Sequence, residues 1–333
     1  MDTVLVTGGA GFIGSHVVRK LIDAGYRVVC VDNFNTVYDP AFKEENVAPL
    51  LAYPNVFKLE RVDIRDKAAL KAVFEAEKPA YVVHLAALAD TRNAVDVPGD
   101  YVDVNITGTL NVLDLARDYK VKNVALASSS SVYGNTPRFP WVESEAADQP
   151  LSPYGATKRA TELFAYAYHH NFDLNVTCLR YFNAYGENNR PGMVPYVWTN
   201  ALLTGKEIEI SGDGSRKRDY TYVGDVAEAT VLAMQKPLGY EVLNIGNSSP
   251  VSLNELLAVL EKATGKQANK KSRPSHSASV ETTCADISKA KKLIGWEPKV
   301  SLEEGMGRLV EWFKEKRVRQ FHFQLPRNPR QLD

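Results

Sequence analysis

Thr3-Val4-Leu5-Val6-Thr7-Gly8-Gly9-Ala10-Gly11-Phe12-Ile13-Gly14 is the stretch that decides the fold. Its opening residues form a short apolar run that reads as a buried strand, and the glycines follow at once. A helical pattern continues through Val17, Val18, Leu21 and Ile22. After Gly25 a second strand, Arg27 to Val31, ends at Asp32. Strand, glycine turn, helix, strand and acid within about 30 residues is the layout of a dinucleotide-binding unit. Gly8 permits the tight turn, Gly11 lets a pyrophosphate approach the backbone at the helix start, and Gly14 allows close helix–strand packing. Asp32, 18 residues past Gly14, is placed to accept from a ribose 2′-hydroxyl and repel a 2′-phosphate, so NAD is expected rather than NADP.

The alternation continues. Val56 to Leu59 reads as a third strand, with Asp63 and Ile64 beyond it expected to border the adenine, and a helix follows from about Lys67 to Glu77. Tyr81 to Leu85 is the fourth strand, and Ala86 and Ala87 are small enough to let a cofactor pass its end. His84 is expected as a packed strand residue, because nothing adjacent in sequence would orient it for catalysis. Val102, Ile106, Leu110 and Leu113 repeat at helical spacing between Tyr101 and Tyr119. The fifth strand, Val124 to Ala127, runs into four serines, Ser128 to Ser131, at the carboxyl end where open α/β sheets bind ligands.

Ser152-Pro153-Tyr154-Gly155-Ala156-Thr157-Lys158 then opens a long helix, and Tyr154 and Lys158, four apart, share a face. An ammonium roughly 5 Å from a phenol, at an effective dielectric of about 20, favours the phenolate by about 3 kcal/mol. That shift would bring Tyr154 toward the working range of a general acid/base. Leu163, Phe164, Ala167 and Tyr168 form an apolar stripe on the same helix. This stripe and the one beginning at Val102 are expected either under the sheet or paired across a twofold axis as a homodimer.

Asn175 to Leu179 is the sixth strand; past Arg180 the rhythm breaks into Gly-, Pro- and Asn-rich segments. A doubly wound, Rossmann-type parallel sheet is expected from residues 1–179 with 225–246, which include a helix at Asp225–Gln235 and a strand at Tyr240–Ile245. A smaller α/β substrate-binding domain is expected from 180–224 with 247–320, carrying helices at Leu253–Thr264 and Leu302–Glu315, and 321–333 read as a polar tail. Lys plus Arg number 40 and Asp plus Glu 40, so no net field recruits nucleic acid or an anionic membrane. No apolar run reaches the roughly 20 residues that span a bilayer. A strand beginning by Val4 leaves no room for a signal peptide, and the three cysteines fit no metal spacing. A cytoplasmic protein is expected.

With Gly8-x-x-Gly11-x-x-Gly14, Asp32, Ser129 and Tyr154-x-x-x-Lys158 in this order, the chain resembles the extended short-chain dehydrogenase/reductase family. Asp32-Asn33-Phe34, Asn105-Ile106-Thr107-Gly108, Val132-Tyr133-Gly134, Arg180-Tyr181-Phe182-Asn183 and Arg218-Asp219-Tyr220 are similar to its NAD-dependent nucleotide-sugar 4-epimerase branch. The nearest likeness is to UDP-glucuronate 4-epimerases, through Tyr38-Asp39-Pro40, the four serines and Arg190-Pro191. The resemblance implies catalytic roles for Ser129, Tyr154 and Lys158. It implies NAD contacts from Gly8, Gly11, Phe12, Ile13, Gly14, Asp32, Asn33, Asp63, Ile64, Leu85, Ala86, Ala87, Asn105, Tyr154, Lys158 and Tyr181. Substrate contacts are implied for Arg92, Ser129, Ser130, Asn183, Arg190, Arg218 and Arg273, with Arg190 facing a uronate carboxylate.

The implied reaction is a reversible oxidation at C4 of a UDP-sugar, followed by reduction from the opposite face. Ser130 and Ser131 stand where related dehydratases or decarboxylases carry carboxylates, which disfavours elimination and decarboxylation. Asn183, where glucuronate enzymes usually have threonine, and the altered loop Arg273-Pro274-Ser275-His276, with Ser279 at an expected acid position, leave the sugar open. UDP-glucose and UDP-N-acetylglucosamine are the alternatives within enzymes, and an NAD-sensing protein without catalysis the alternative outside them.

Overall fold

The computed structural model describes residues 1–274 and 280–316. The loop positions 275–279 and the expected tail at 321–333 lie outside the described residues. Strands β1 (Thr3–Thr7), β2 (Arg27–Val31), β3 (Phe57–Glu60), β4 (Tyr81–His84), β5 (Asn123–Ser129) and β6 (Val176–Tyr181) are followed by β7 (Asn183–Tyr185), β8 (Glu207–Ser211) and β9 (Lys217–Tyr222). Three more complete the set: β10 (Tyr240–Ile245), β11 (Pro250–Ser252) and β12 (Asn269–Arg273). The main sheet has seven strands in the order β10-β6-β5-β4-β1-β2-β3, every pairing parallel. Its order reverses between β1 and β4, the switch point at which such sheets open a crevice. Central strands covered on both faces run largely apolar, and all seven residues of β5 are buried, the polar Asn123, Ser128 and Ser129 at its ends included.

Helices α1 (Phe12–Asp23), α2 (Ala41–Val47) and α3 (Lys67–Glu77) follow the first three strands. The helix expected as one piece from Tyr101 to Tyr119 is interrupted. Short α4 (Asn93–Asp96) and α5 (Pro98–Tyr101) lead into a π-helical turn, Val102–Thr107, and only then α6 (Gly108–Asp118). Then come α7 (Pro153–Phe172), α8 (Val194–Thr204), α9 (Val223–Gln235), α10 (Leu253–Thr264), α11 (Ser288–Ile294) and α12 (Leu302–Lys316). Ser152 accepts from the Gly155 N–H at 3.1 Å and Pro153 takes the first helical position, so α7 starts where the sequence signals it.

β9 pairs with β11 and β7 in a three-stranded sheet, and β8 with β12 in a parallel pair. One buried cluster runs from Val4 and Val17 through Trp198 and Ile208 to Leu256 and Leu309. The sheets are therefore separate, but their cores merge. The apolar stripes on α7 and from Val102 are covered only in part: Leu113 is buried in the core and Tyr168 packs against it, whereas Leu163 is 55% exposed and Val102 46%. The face of α7 turned inward instead carries Thr157, Lys158, Thr161, Glu162 and Ala165.

Candidate active site

The carboxyl ends of β1, β4, β5 and β6 open into one cleft with a cavity volume of about 930 Å³. Gly8, Gly11, Phe12, Ile13 and Gly14 form its floor. Gly8 has φ +70°, and a Cβ there would lie 2.8 Å from the Ala86 nitrogen. A Cβ on Gly14 would lie 2.1 Å from the Gly8 carbonyl oxygen. Both contacts are with backbone, so neither site can yield. Gly11 is the N-cap of α1 and offers no side-chain cap. The N–H groups of the first helical turn have no partner inside the helix and face the cleft with the positive end of the dipole. This is a cradle for a diphosphate.

One wall carries Asp32, Asn33, Asp63 and Ile64. Asp32 is buried; its Oδ1 accepts from the Phe34 N–H and from Lys43 Nζ, each at 2.9 Å. Asn33 Nδ2 donates to Asp63 Oδ2 at 2.9 Å. Hydrogen bonds from Arg65 bring the Asp63 carboxyl down to about 2, so it stays an anionic acceptor. With Leu85, Ala86 and Ala87 opposite, this wall fits the adenosine of a dinucleotide. Lys43 was not foreseen from the sequence. It reaches Asp32 only because α2 folds back over the end of β2, a juxtaposition that no local pattern reports.

Ser129, Ser130, Tyr154, Lys158 and Tyr181 line the middle of the cleft. Ser129 caps the 3₁₀ turn Ser130–Tyr133: its Oγ accepts from the Ser131 N–H at 3.1 Å and donates to Ser131 Oγ at 3.2 Å. The Tyr154 ring meets Tyr101 edge-on with centroids 6.3 Å apart. Burial pushes the Tyr154 hydroxyl above its ordinary value, opposed first by a hydrogen bond with Ser129 and then by the charge of Arg190. Lys158 does not lead that opposition, contrary to expectation. Its Nζ donates to the Ala127 carbonyl at 2.8 Å, and burial lowers its own value to about 8.

The far end holds Arg92, Asn183, Arg190, Arg218 and Arg273, joined by Arg216 from the same basic run as Arg218. Arg190 donates to the Ala89 carbonyl across the cleft, and Arg218 Nη1 donates to the Lys217 carbonyl at 2.8 Å. This cationic end is suited to a second, anionic ligand lying beyond the cofactor cradle. Of the expected site residues, Asn105 alone is not on the cleft wall. It lies one layer behind, donating to the Leu88 carbonyl at 3.0 Å and accepting from the Leu88 N–H at 2.8 Å, so it shapes the wall without touching the space. His84 is buried as expected, but it is oriented: Thr7 lies 2.6 Å from Nδ1 and Thr109 2.9 Å from Nε2.

Residues 4–246 match the model of a family described as the NAD dependent epimerase/dehydratase family. The chain is 45% identical over 317 residues to a UDP-glucuronate 4-epimerase of Thermodesulfobacterium geofontis, covering 95% of this chain and 97% of that one. It is similar in structure to UDP-glucuronic acid 4-epimerase from Bacillus cereus in complex with UDP-glucuronic acid and NAD, with a TM-score of 0.88 and 35% identity over 94% of this chain and 99% of that one. A UDP-glucose 4-epimerase with UDP-glucose from Thermotoga maritima gives a TM-score of 0.87 at 38% identity, over 94% and 99% of the two chains. The chain belongs to the NAD dependent epimerase/dehydratase family.

Proposed function

We propose that this protein is an NAD-dependent UDP-sugar 4-epimerase, an isomerase, and that its substrate pair is UDP-glucuronate and UDP-galacturonate. The observation that carries the reading is the junction of Ser129 and Tyr154 between the glycine cradle and the arginine-lined end of one cleft. The 45% identical UDP-glucuronate 4-epimerase supports the choice of sugar. Bound NAD supplies the hydride chemistry at C4, and the cradle, Asp32 and Lys158 hold it.

The remaining work falls to side chains. Ser129 bonds the sugar 4-oxygen, and Tyr154 takes the 4-hydroxyl proton and later returns it. Asn183, Arg218 and Arg273 hold the diphosphate, about which the 4-keto sugar turns to present its other face. Arg190 offers a planar fork to the uronate carboxylate. Ser130 and Ser131 place no carboxyl acid beside C5, so the keto sugar returns to alcohol rather than losing water or CO₂.

Asn183 favours a second reading, a neutral UDP-hexose epimerase, because the resemblance to glucuronate enzymes implies threonine at that position. Incubating the purified protein with UDP-glucuronate, UDP-glucose and UDP-N-acetylglucosamine, without added NAD, separates the two. Epimer is expected from the uronate alone, and Tyr154→Phe should lower kcat by about 10²- to 10⁴-fold. Turnover confined to a neutral sugar would refute the uronate assignment. The proposal extends to a cytoplasmic homodimer. Three free thiols suit a reducing compartment, and the uncovered apolar face of α7 suits a second copy.

A further inference from the structure

One turn past Lys158, α7 carries an ionisable side chain that the reaction above does not use. Glu162 is fully buried. Its Oε1 accepts from Ser128 Oγ at 2.6 Å and from Arg180 Nε at 2.8 Å. Its Oε2 accepts from Arg180 Nη2 at 2.8 Å and from Arg159 Nη1 at 2.9 Å. A buried carboxylate is tolerated when it is paired and bonded in this way. Ser128 immediately precedes Ser129 at the end of β5, while Glu162 shares its helix with Tyr154 and Lys158. Arg180, on β6, stacks 4.7 Å from the centre of the Tyr133 ring. One carboxylate thus ties the helix of the acid/base to the strand end of the serine.

We propose that Glu162 is a positioning residue of the active site: through Ser128 it fixes Ser129 against Tyr154, and its charge compensates the buried ammonium of Lys158. The proposal rests on the reading of those three residues as the reacting site. Lys158 donates to a neutral carbonyl, that of Ala127, so its counter-charge must come from elsewhere. Burial lowers its value to about 8, and the neighbours that oppose this are Cys178 and Glu162. The Cys178 thiol is itself raised well above its ordinary value by burial and stays neutral, which leaves Glu162 as the anion.

Other groups face this layer from every side. Arg159 on α7 and Arg180 on β6 are bonded to Glu162. His84 on β4 is kept neutral by burial, and Tyr240 on β10 donates to the Glu162 carbonyl at 3.1 Å. Burial likewise raises the carboxyl of Glu143 and the hydroxyl of Tyr133.

The test is the titration of Lys158 Nζ by NMR in ¹⁵N-lysine-labelled protein, alongside the pH profile of kcat. Wild type should titrate near 8. Glu162→Gln should lower that midpoint by about one pH unit and move the alkaline limb of kcat with it. At pH 8.5 that is about a tenfold loss of kcat, with KM within about twofold. Because Glu162→Gln strands the Arg180 charge, Glu162→Gln/Arg180→Gln provides a variant without it and should shift the midpoint in the same direction by a smaller amount, since a neighbouring cation is lost as well. Ser128→Ala should lower kcat severalfold and leave the Lys158 midpoint in place. A Lys158 midpoint unchanged in both Glu162 variants, or wild-type kcat in Ser128→Ala, would overturn the proposal. A protein inert toward every UDP-sugar would instead defeat the epimerase reading, while the Nζ titration still decides the role of Glu162.

Discussion

His84 shows how far a single residue can be read from sequence. Its neighbours along β4 suggest only packing, yet two threonines from β1 and α6 hold its ring. The Thr109 hydroxyl donates to the Asn105 carbonyl, so it accepts from His84 Nε2–H. Thr7 takes the Ala86 N–H at 3.3 Å and gives its own proton to Nδ1. This network assigns the neutral Nε2–H tautomer and leaves no acceptor for a second proton. Burial, followed by the charge of Lys158, lowers the His84 value to about 3. The unfolded chain takes up that proton near 6.5, so stability is complete above 6.5 and falls as pH drops from there toward 3. The slope contributed is about 1 kcal/mol per pH unit. Urea unfolding measured between pH 7 and pH 4 should show it, and His84→Gln, which cannot titrate, should flatten the curve by that amount. An unchanged slope in the variant would mean that other groups carry the acid sensitivity. The pairing of Lys43 with Asp32 is legible only in three dimensions for the same reason.

At the scale of elements, the first strand, turn and helix were fully legible, because each residue in them answers to a local rule. Gly14 is the sharpest case. A methyl group there would meet the Gly8 carbonyl oxygen at 2.1 Å and the Gly9 Cα at 2.7 Å, atoms fixed by the strand they end. Gly14→Ala must therefore push α1 off β1, at about 1–3 kcal/mol for an overpacked contact, and move the diphosphate cradle. Expected outcomes are a lowered melting temperature and loss of co-purifying NAD, read by extracting the nucleotide and measuring its absorbance. Retention of stoichiometric NAD would argue that the cradle tolerates the shift. The break between α5 and α6 was not legible. There Asn105 turns inward to bond Leu88 and Thr157, and a Cβ on Gly108 would come within 2.5 Å of Ile64 Cδ1. Partners 17 to 52 positions away impose that π-helical turn, and apolar periodicity carries no trace of them.

The whole molecule presents the converse problem, a surface that sequence left with two possible covers and that the described residues cover only in part. The inner face of α7 is spent on Lys158, bonded to the Ala127 carbonyl, and on Glu162 with its ion pairs, so apolar residues such as Leu163 point outward. Leu163 is 55% exposed and Phe164 38%, on a helix packed beside the π-helical turn that bears the exposed Val102. Covering one large apolar side chain is worth about 1.5–3 kcal/mol, and a twofold axis covers each such residue twice. The homodimer proposed above would use α7 and the π-helical turn as its interface. Light scattering should give twice the monomer mass, and Leu163→Glu/Phe164→Glu should give the monomer, since burying four carboxylates across the axis is prohibitive. Because α7 also carries Tyr154 and Lys158 on its other face, separating the chains should loosen the acid/base helix. The monomer is therefore expected to lose kcat more than it raises KM. A wild-type dimer that survives both charges would place the interface elsewhere.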